Sequence, residues 1–420
     1  MSPAGRLLPV NASIEDGRLA IGGCDTVELA ERFGTPLYVY DEAGLEEGCR
    51  DFARAMAAGP SGSRGLYAVK AFPAVAMAAL AHREGLGILC ASAGEVAVAE
   101  AAGVPADDRV LHGNNKSDQE LRISANRIIV DSFDEIRRLE ALGVEAAVWL
   151  RVAPGLDAGA HEFIRTGGVD TKFGVGMAQA VDAAKRLASI PGVRLAGLHA
   201  HVGSQLFGVE EHVELARLMV PFLREVSEET GTGLAELDLG GGFAVAYTDH
   251  DPPATPPGKV AGEVLQHWPS DLALIMEPGR ALVGRAAVSL HTIGTVKEIP
   301  GIRTYVAVDG GMSDNIRPAL YGARYAFWLA GRADAPAEQL VRIVGKHCES
   351  GDIVTGEALL PVDPRPGEIL VTAATGAYTW AMASNYNQIP RAAVVFCRDG
   401  RATPVVRRET VDDLLRLQLR

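Results

Sequence analysis

An α/β fold, with eight parallel strands closed into a barrel and a second β-rich domain, is what the sequence predicts. Three observations carry it. Eight short apolar runs, at 65–69, 86–91, 109–111, 127–130, 146–152, 195–200, 234–239 and 272–276, read as buried strands, and Ala-rich amphipathic stretches separate most of them. Beyond residue 289 the texture changes to strand-like runs set apart by Gly/Pro/Asp turns. At 420 residues the chain is also too long for one ordinary domain. Eight β-α alternations in about 250 residues are what a TIM barrel needs.

The elements follow in order. A strand at 37–40 leads to Asp41, which can cap a helix carrying Leu45, Cys49, Phe52, Ala53 and Met56 on one face. Helices between the barrel strands are expected at 74–83, 134–142, 178–187, 210–229 and 260–268. An open doubly wound sheet would place a Gly-rich fingerprint after its first strand, and here that turn reads V-K-A-F-P. In the second domain, strands are expected at 304–308, 342–344, 369–372 and 392–396. The N-terminal 40 or so residues are strand- and turn-like and are expected to complete that domain, as part of a barrel or sandwich. The expected division is therefore a barrel over 44–289, with 1–43 and 290–420 forming the β-rich domain.

Composition bounds the function. A hydrophobic fraction of 48% beside 22% charged residues is that of a chain folded throughout. The net charge of -13 is spread without Lys/Arg clusters that could track a phosphate backbone, so nucleic acid is not an expected partner. Five cysteines, Cys24, Cys49, Cys90, Cys348 and Cys397, are far apart and lack C-x-x-C spacing, which argues against disulfides and structural zinc. No run approaches the ~18 apolar residues of a membrane span, and the start M-S-P-A-G-R-L-L-P-V has no long apolar core. A cytoplasmic protein without a metal site is the expectation.

Polar residues that interrupt the apolar runs sit at their C-terminal ends, the face on which barrel enzymes place their active sites. Run one ends in Y-A-V-K, so Lys70 follows an apolar stretch in a chain with only seven lysines. A lysine buried there would have a larger neutral, nucleophilic fraction, as Schiff-base formation requires; it could equally snorkel from a strand end. Run seven ends in D-L-G-G-G, where Gly240, Gly241 and Gly242 either let backbone N–H groups approach a phosphate or form a tight turn. Run eight ends in M-E-P-G-R, and barrels often bind phosphate with the loops after strands seven and eight. A reactive lysine opposite a phosphate site invites pyridoxal 5′-phosphate, which needs those two anchors. Run six ends in H-A-H-V-G-S, offering His201 as a flat group to stack on a ring and Ser204 as a phosphate donor. Glu277 either holds a ring nitrogen protonated or forms an exposed salt bridge. Outside the barrel, D-G-G-M-S-D-N-I-R-P-A-L-Y, H-C-E-S-G-D and G-A-Y-T-W-A-M-A-S-N-Y-N supply Arg317, Tyr321, Cys348, Glu349 and Tyr378, which periodicity alone leaves as turns.

Y-A-V-K, H-G-N-N-K-S, V-D-S, I-R-T-G-G-V-D-T-K-F-G, H-A-H-V-G-S-Q, G-G-G-F, E-P-G-R, R-P-A-L-Y, C-E-S and G-A-Y, taken in that order, resemble the diaminopimelate decarboxylase family from about residue 37 to residue 391. Single motifs are weak; ten in sequence are specific. The resemblance implies that Lys70 holds pyridoxal phosphate covalently, His201 stacks on its ring and Glu277 pairs with its nitrogen. It implies further that Ser204, Gly241 and Gly242 hold the phosphate, with Pro278, Gly279, Arg280 and Tyr378 also at the cofactor. It implies a homodimer in which Cys348 reaches the partner's cofactor as proton donor, with Glu349 beside it. By the same resemblance Arg280, Arg317, Tyr321, Glu349 and Tyr378 bind substrate, meso-diaminopimelate, which loses the carboxylate at its D-centre to give L-lysine.

Two positions depart from the family pattern: Phe72 stands where an asparagine is common and Leu89 where an aspartate is common, both near the expected cofactor. Ala381 replaces a frequent serine. The alternatives are a related decarboxylase acting on ornithine, arginine, lysine or a polyamine precursor, a racemase on the same barrel, and a non-catalytic binding protein. The Arg280/Arg317 pair and Glu349 speak against the other enzymes, and retention of Lys70 and Cys348 speaks against the binding protein.

Overall fold

The computed structural model describes residues 3–156 and 171–419. Chain contacts divide it into two compact units, residues 48–244 with 253–281, and residues 1–47 with 245–252 and 282–420.

The first of these is a closed barrel of eight strands: β1 (Arg64–Ala68), β2 (Gly87–Cys90), β3 (Arg109–Leu111), β4 (Arg127–Val130), β5 (Ala146–Ala153), β6 (Val193–Ala200), β7 (Glu236–Asp238) and β8 (Ala273–Met276). Each pairs in parallel with the next, and β8 closes on β1 through Ile275 opposite Arg64 and Met276 opposite Gly65. A two-residue strand, Val175–Gly176, adds to the end of β5. Most connections run through helices, including Val75–Arg83, Ala93–Ala101, Phe133–Leu142, Met177–Ser189, Glu210–Thr230 and Pro257–Leu265. Serines at the tops of β2 and β4 start two of them, Ser92 Oγ accepting from Glu95 N–H at 3.2 Å and Ser132 Oγ from Glu135 N–H at 3.3 Å.

Inside the barrel one apolar layer contains Ala68, Leu89, Val110, Ile129, Trp149, Ala196 and Ile275, all buried. Burying a large aliphatic side chain contributes roughly 1.5–3 kcal/mol, so this layer supplies much of what holds the strands together. Below it Trp149 Nε1 donates to Glu236 Oε2 at 2.6 Å, and the same carboxylate takes Arg127 Nε at 2.7 Å. Above it strand alternation brings a different set to the inner face, because residues two apart share a face. Lys70, His112, Asp131, Arg151 and Glu277 follow Ala68, Val110, Ile129, Trp149 and Ile275 by two positions. The H-G-N-N-K-S segment is braced by Lys116, whose buried ammonium donates to Gly113 O and Ile129 O at 2.7 Å each and to Glu135 Oε2 at 3.0 Å.

In the second unit the strand Leu37–Asp41 sits between Ala287–Ile299, antiparallel to it, and Ala393–Arg398, parallel to it. The N-terminal segment therefore completes the C-terminal sheet. The sheet continues outward through Arg303–Val308, Ala337–Val344 and Ile353–Pro361 on one side and Arg401–Val406 on the other. Ala287–Ile299 is long enough to pair with Ile369–Thr372 through its first half and with Arg303–Val308 through its second, shifting register between Ile293 and Thr295. Asp41 caps the helix Glu42–Ala57 as its position implies, its Oδ1 accepting from Gly44 N–H at 3.1 Å. The N-terminal stretch departs from the strand-and-turn expectation in also holding a short helix, Pro3–Leu7, and the helix Thr26–Phe33, the latter capped by Asp25, whose Oδ1 accepts from Val27 N–H at 2.8 Å and Glu28 N–H at 3.0 Å. Its packing of Leu29 and Ala30 into the sheet's core, not sequence alternation, decides that conformation.

Candidate active site

The ends of the barrel strands build one polar layer above the apolar one. Lys70 sits in the single 3-10 turn Val69–Ala71 that ends β1. Of the two readings left open for Lys70, a buried amine and one that reaches solvent from the strand end, the structure has the second: Lys70 is exposed, while its neighbours Val69 and Ala71 are buried. Its positive charge nevertheless acts on His112, His201 and Glu95. Phe72, just after it, is fully buried and its carbonyl accepts the Tyr67 hydroxyl at 3.0 Å. Leu89 belongs to the apolar layer, so no carboxylate stands at that strand position.

Glu277 ends β8 with 7% exposure, which removes the exposed salt bridge as an account of it. Its Oε1 is buried and has no hydrogen-bond partner among the described residues. His199 Nε2 lies 3.5 Å from that oxygen. Burial disfavours the charged form, but facing His199 and Asp238 outweighs it and lowers the Glu277 carboxyl below its usual range. His199 is itself fully buried, and burial pushes it below the ordinary imidazole range, so it packs as a neutral ring edge-on to His112 at 5.1 Å. His112 in turn contacts Arg151 Nη1 at 3.2 Å, and Arg151 is 3.6 Å from Asp131. Arg151 is the positive centre of the layer, and after burial it is the largest influence holding His112 and His201 neutral.

The glycine triplet lies against two neighbouring strand ends. A Cβ on Gly241 would fall 2.3 Å from the Glu277 carbonyl oxygen, and one on Gly242, at φ 103°, would fall 2.4 Å from Gly203 O. Gly240 N–H donates to Asp238 Oδ1 at 2.7 Å, and Gly241 N–H to His201 Nδ1 at 3.2 Å. His201 therefore accepts at Nδ1 and carries its proton on Nε2. Close packing by itself requires these glycines; Gly240 and Gly241 are buried, and Gly242 is partly exposed. Next to them Ser204 Oγ meets Arg280 Nη2 at 3.2 Å, a hydroxyl and a guanidinium joined beside the loop. The E-P-G-R turn is stitched to β1, with Ala68 N–H donating to Pro278 O at 3.1 Å and Gly279 too close to Ala68 and Ala71 for a side chain to fit without displacement.

The second unit carries the remaining expected site residues. Arg317 is buried at 6% exposure, donates from Nη1 to the Tyr325 hydroxyl at 2.5 Å and stacks 4.6 Å over the Tyr247 ring. Tyr321 ends the same short helix, Arg317–Tyr321, and is partly exposed. Cys348 and Glu349 are exposed on a braced segment. Cys348 N–H donates to Asn387 Oδ1 at 3.1 Å, and buried His347 meets Ser313 Oγ at 2.8 Å. Asp352 accepts from His347 N–H at 2.9 Å and from Met312 N–H at 2.7 Å. Tyr378 holds φ 58°, a backbone region that a bulky side chain enters only when the surrounding structure imposes it. Residues 164–170 of the I-R-T-G-G-V-D-T-K-F-G motif lie outside the described residues.

The barrel mouth fits pyridoxal phosphate. It presents a primary amine, a buried carboxylate oxygen with no partner for a ring N–H to meet, a neutral imidazole, and a side-chain-free loop beside a guanidinium and a hydroxyl. Arg151, His112, His199 and Asp238 in the barrel, and Tyr247, Tyr325, Asn387 and Asp352 in the other unit, were not singled out from sequence. For the barrel set a signal existed: each is a polar residue near the C-terminal end of its strand, and His112 and Arg151 stand two residues past Val110 and Trp149 of the apolar layer. In the other set Asp352 and Asn387 fall at the ends of H-C-E-S-G-D and G-A-Y-T-W-A-M-A-S-N-Y-N, whereas Tyr247 and Tyr325 lie in no such motif.

A family model described as pyridoxal-dependent decarboxylase, pyridoxal binding domain, matches residues 43–284. The chain is 42% identical over 422 residues to the diaminopimelate decarboxylase of Bacillus subtilis (strain 168), covering 96% of each chain. Its fold is similar to crystal structures of diaminopimelate decarboxylase from M. jannaschii in co-complex with L-lysine, with TM-score 0.88 and 30% identity over 97% of this chain and 98% of that one. The same enzyme from Helicobacter pylori complexed with L-lysine gives TM-score 0.84 and 28% identity, over 93% of this chain and 98% of that one.

Proposed function

The chain belongs to the pyridoxal-dependent decarboxylase family, and on that premise we propose that it is a carboxy-lyase converting meso-diaminopimelate, by decarboxylation at its D-centre, to L-lysine and CO2. The observation that carries the reading is the barrel mouth, where Lys70, Glu277 and the glycine triplet stand at the ends of β1, β8 and β7. When bound, pyridoxal phosphate supplies an electron sink for the pair left at the α-carbon as CO2 departs.

Each residue then has a task. Lys70 anchors the cofactor through its amine and yields that position to the substrate amine. Glu277, anionic, holds a proton on the ring nitrogen. His201, neutral, lies flat against the ring, and Gly241, Gly242, Ser204 and the E-P-G-R turn hold the phosphate, with Tyr378 also at the cofactor. Arg280, Arg317 and Tyr321 take the distal carboxylate and Glu349 the distal ammonium, contacts that discriminate strongly when desolvated. Cys348 delivers the proton that replaces CO2. Its exposure on a braced segment supports a role toward a second copy of the chain, so the active form is a homodimer. Among the described residues no helix is long and apolar enough to cross a membrane; a cytoplasmic location belongs to this reading.

The test is CO2 release by the purified holoenzyme from meso-diaminopimelate, ornithine, arginine and lysine, with borohydride reduction to locate the cofactor. Preference for meso-diaminopimelate and a reduced adduct on Lys70 are expected. Faster turnover of a substrate without a distal carboxylate would remove the arginine assignment, and an adduct elsewhere would remove the mouth as the site.

A further inference from the structure

Asp238, the last residue of β7, is fully buried in the layer that holds Glu277. Its Oδ1 is used locally, accepting Gly240 N–H at 2.7 Å. Its Oδ2 is buried and, as an ionised oxygen, has no donor among the described residues; Glu277 Oε1 is in the same condition. Oxygen atoms of the two carboxyls and a ring nitrogen of His199 lie within 4.8 Å of one another. Two carboxylates at such a separation, away from water, repel too strongly for both to ionise. One proton between them would give each orphaned oxygen a partner. Glu277 faces His199 and keeps 7% exposure, whereas Asp238 is fully buried and among the described residues has only the Gly240 N–H as donor, so the proton belongs on Asp238.

Resting on the cofactor reading above, we propose that Asp238 is a positioning residue: it stays protonated at neutral pH and donates Oδ2–H to Glu277, fixing that carboxylate as the anion that keeps the cofactor's ring nitrogen protonated. The directions of titration agree. Burial, with Glu277 next, raises Asp238 well above the usual carboxyl range, while Glu277 is lowered. The role also couples the two ends of the site, since the carboxyl that steadies Glu277 is the one that fixes the first N–H of the glycine triplet.

The test compares holoenzymes of Asp238→Asn and Asp238→Leu with the parent. An amide reproduces a protonated carboxyl here, donating to Glu277 and accepting from Gly240. Asp238→Asn is therefore expected to keep cofactor affinity within about threefold and the pH profile of the cofactor's visible band, while Asp238→Leu loses on the order of a hundredfold in affinity and shifts that profile toward lower pH. An Asn variant as impaired as the Leu variant, or a Leu variant with parental affinity and profile, overturns the proposal. Should the Leu variant not fold, infrared spectra of the parent decide: a protonated-carboxyl band at neutral pH that disappears in Asp238→Asn is expected, and its absence overturns the proposal. A parent that binds no cofactor at Lys70 fails the reading of the site instead, which the infrared band does not depend on.

Discussion

Replacing His212 with phenylalanine tests whether the glycine loop is held in its binding shape from behind. His212 is fully buried in the first turn of Glu210–Thr230, and its Nε2 lies 2.9 Å from the Gly241 carbonyl oxygen. A carbonyl only accepts, so Nε2 carries the proton. The imidazole also stacks on Phe243, ring centres 4.7 Å apart and planes within 13°. His212→Phe keeps a flat ring for that stack and deletes the donor, leaving Gly241 O buried without this bond at a cost of about 1–3 kcal/mol. If that cost is met when the loop closes on phosphate, the cofactor's dissociation constant rises about 5- to 140-fold, at roughly 1.4 kcal/mol per decade. Titrating the apoprotein with pyridoxal phosphate and with pyridoxal separates the two ends of the ligand. Pyridoxal lacks the phosphate, so its affinity should hardly change. Equal losses for both ligands, or no loss for either, would refute the support role.

Three further outcomes follow from the same geometry. Cys348→Ala should lower turnover by about 10² to 10⁴ with cofactor affinity retained, as positioned acids contribute that much; parental turnover would remove the proton-donor assignment. Arg317→Lys gives up the planar fork held by Tyr325 and Tyr247, and should raise KM for meso-diaminopimelate by about tenfold or more while leaving any slow turnover of ornithine unchanged. Low pH should destabilise the apoprotein. His112, His199, His201 and His212 are kept neutral, chiefly by burial, below the usual range, so their contribution is present above the unfolded imidazole value and is lost as pH falls through it. Four protons taken up only by the unfolded chain give a slope of about 5.4 kcal/mol per pH unit well below about pH 6.5. Asp238, protonated when folded, has the opposite sign: from the unfolded carboxyl value up to its raised folded value it takes about 1.4 kcal/mol per pH unit off that slope, so above neutrality, where the imidazole contribution is flat, stability falls as pH rises. Urea midpoints that do not fall between neutral and mildly acidic pH would contradict the neutral state of these rings.

The strands and the lysine, glycine and glutamate landmarks were legible because each is a local pattern: an apolar run of strand length, then a polar residue where the run stops. Their boundaries mostly agree with the structure to within one or two residues. Lys70 shows where that reasoning ends. An apolar run before a lysine suggests burial, but in the 3-10 turn that ends the strand Lys70 is exposed. The helix Thr26–Phe33 was hidden for the complementary reason, since it is held by a core assembled from segments hundreds of residues away.

One-dimensional periodicity specifies which face of a strand a residue occupies, so the chain's own order of residues already dictated eight strands and the end of the barrel that would be polar. It could not say which of those polar groups would meet. Asp238 and Glu277 are neighbours only because β7 pairs with β8, and His199 joins them because β6 pairs with β7 so that His199 lies opposite Asp238. Arg317 gains its tyrosine cradle and Asp352 its ring of N–H donors in the same way. Protonation states belong to that second level, because charge, desolvation and hydrogen bonding act through distance in space and not through spacing along the chain.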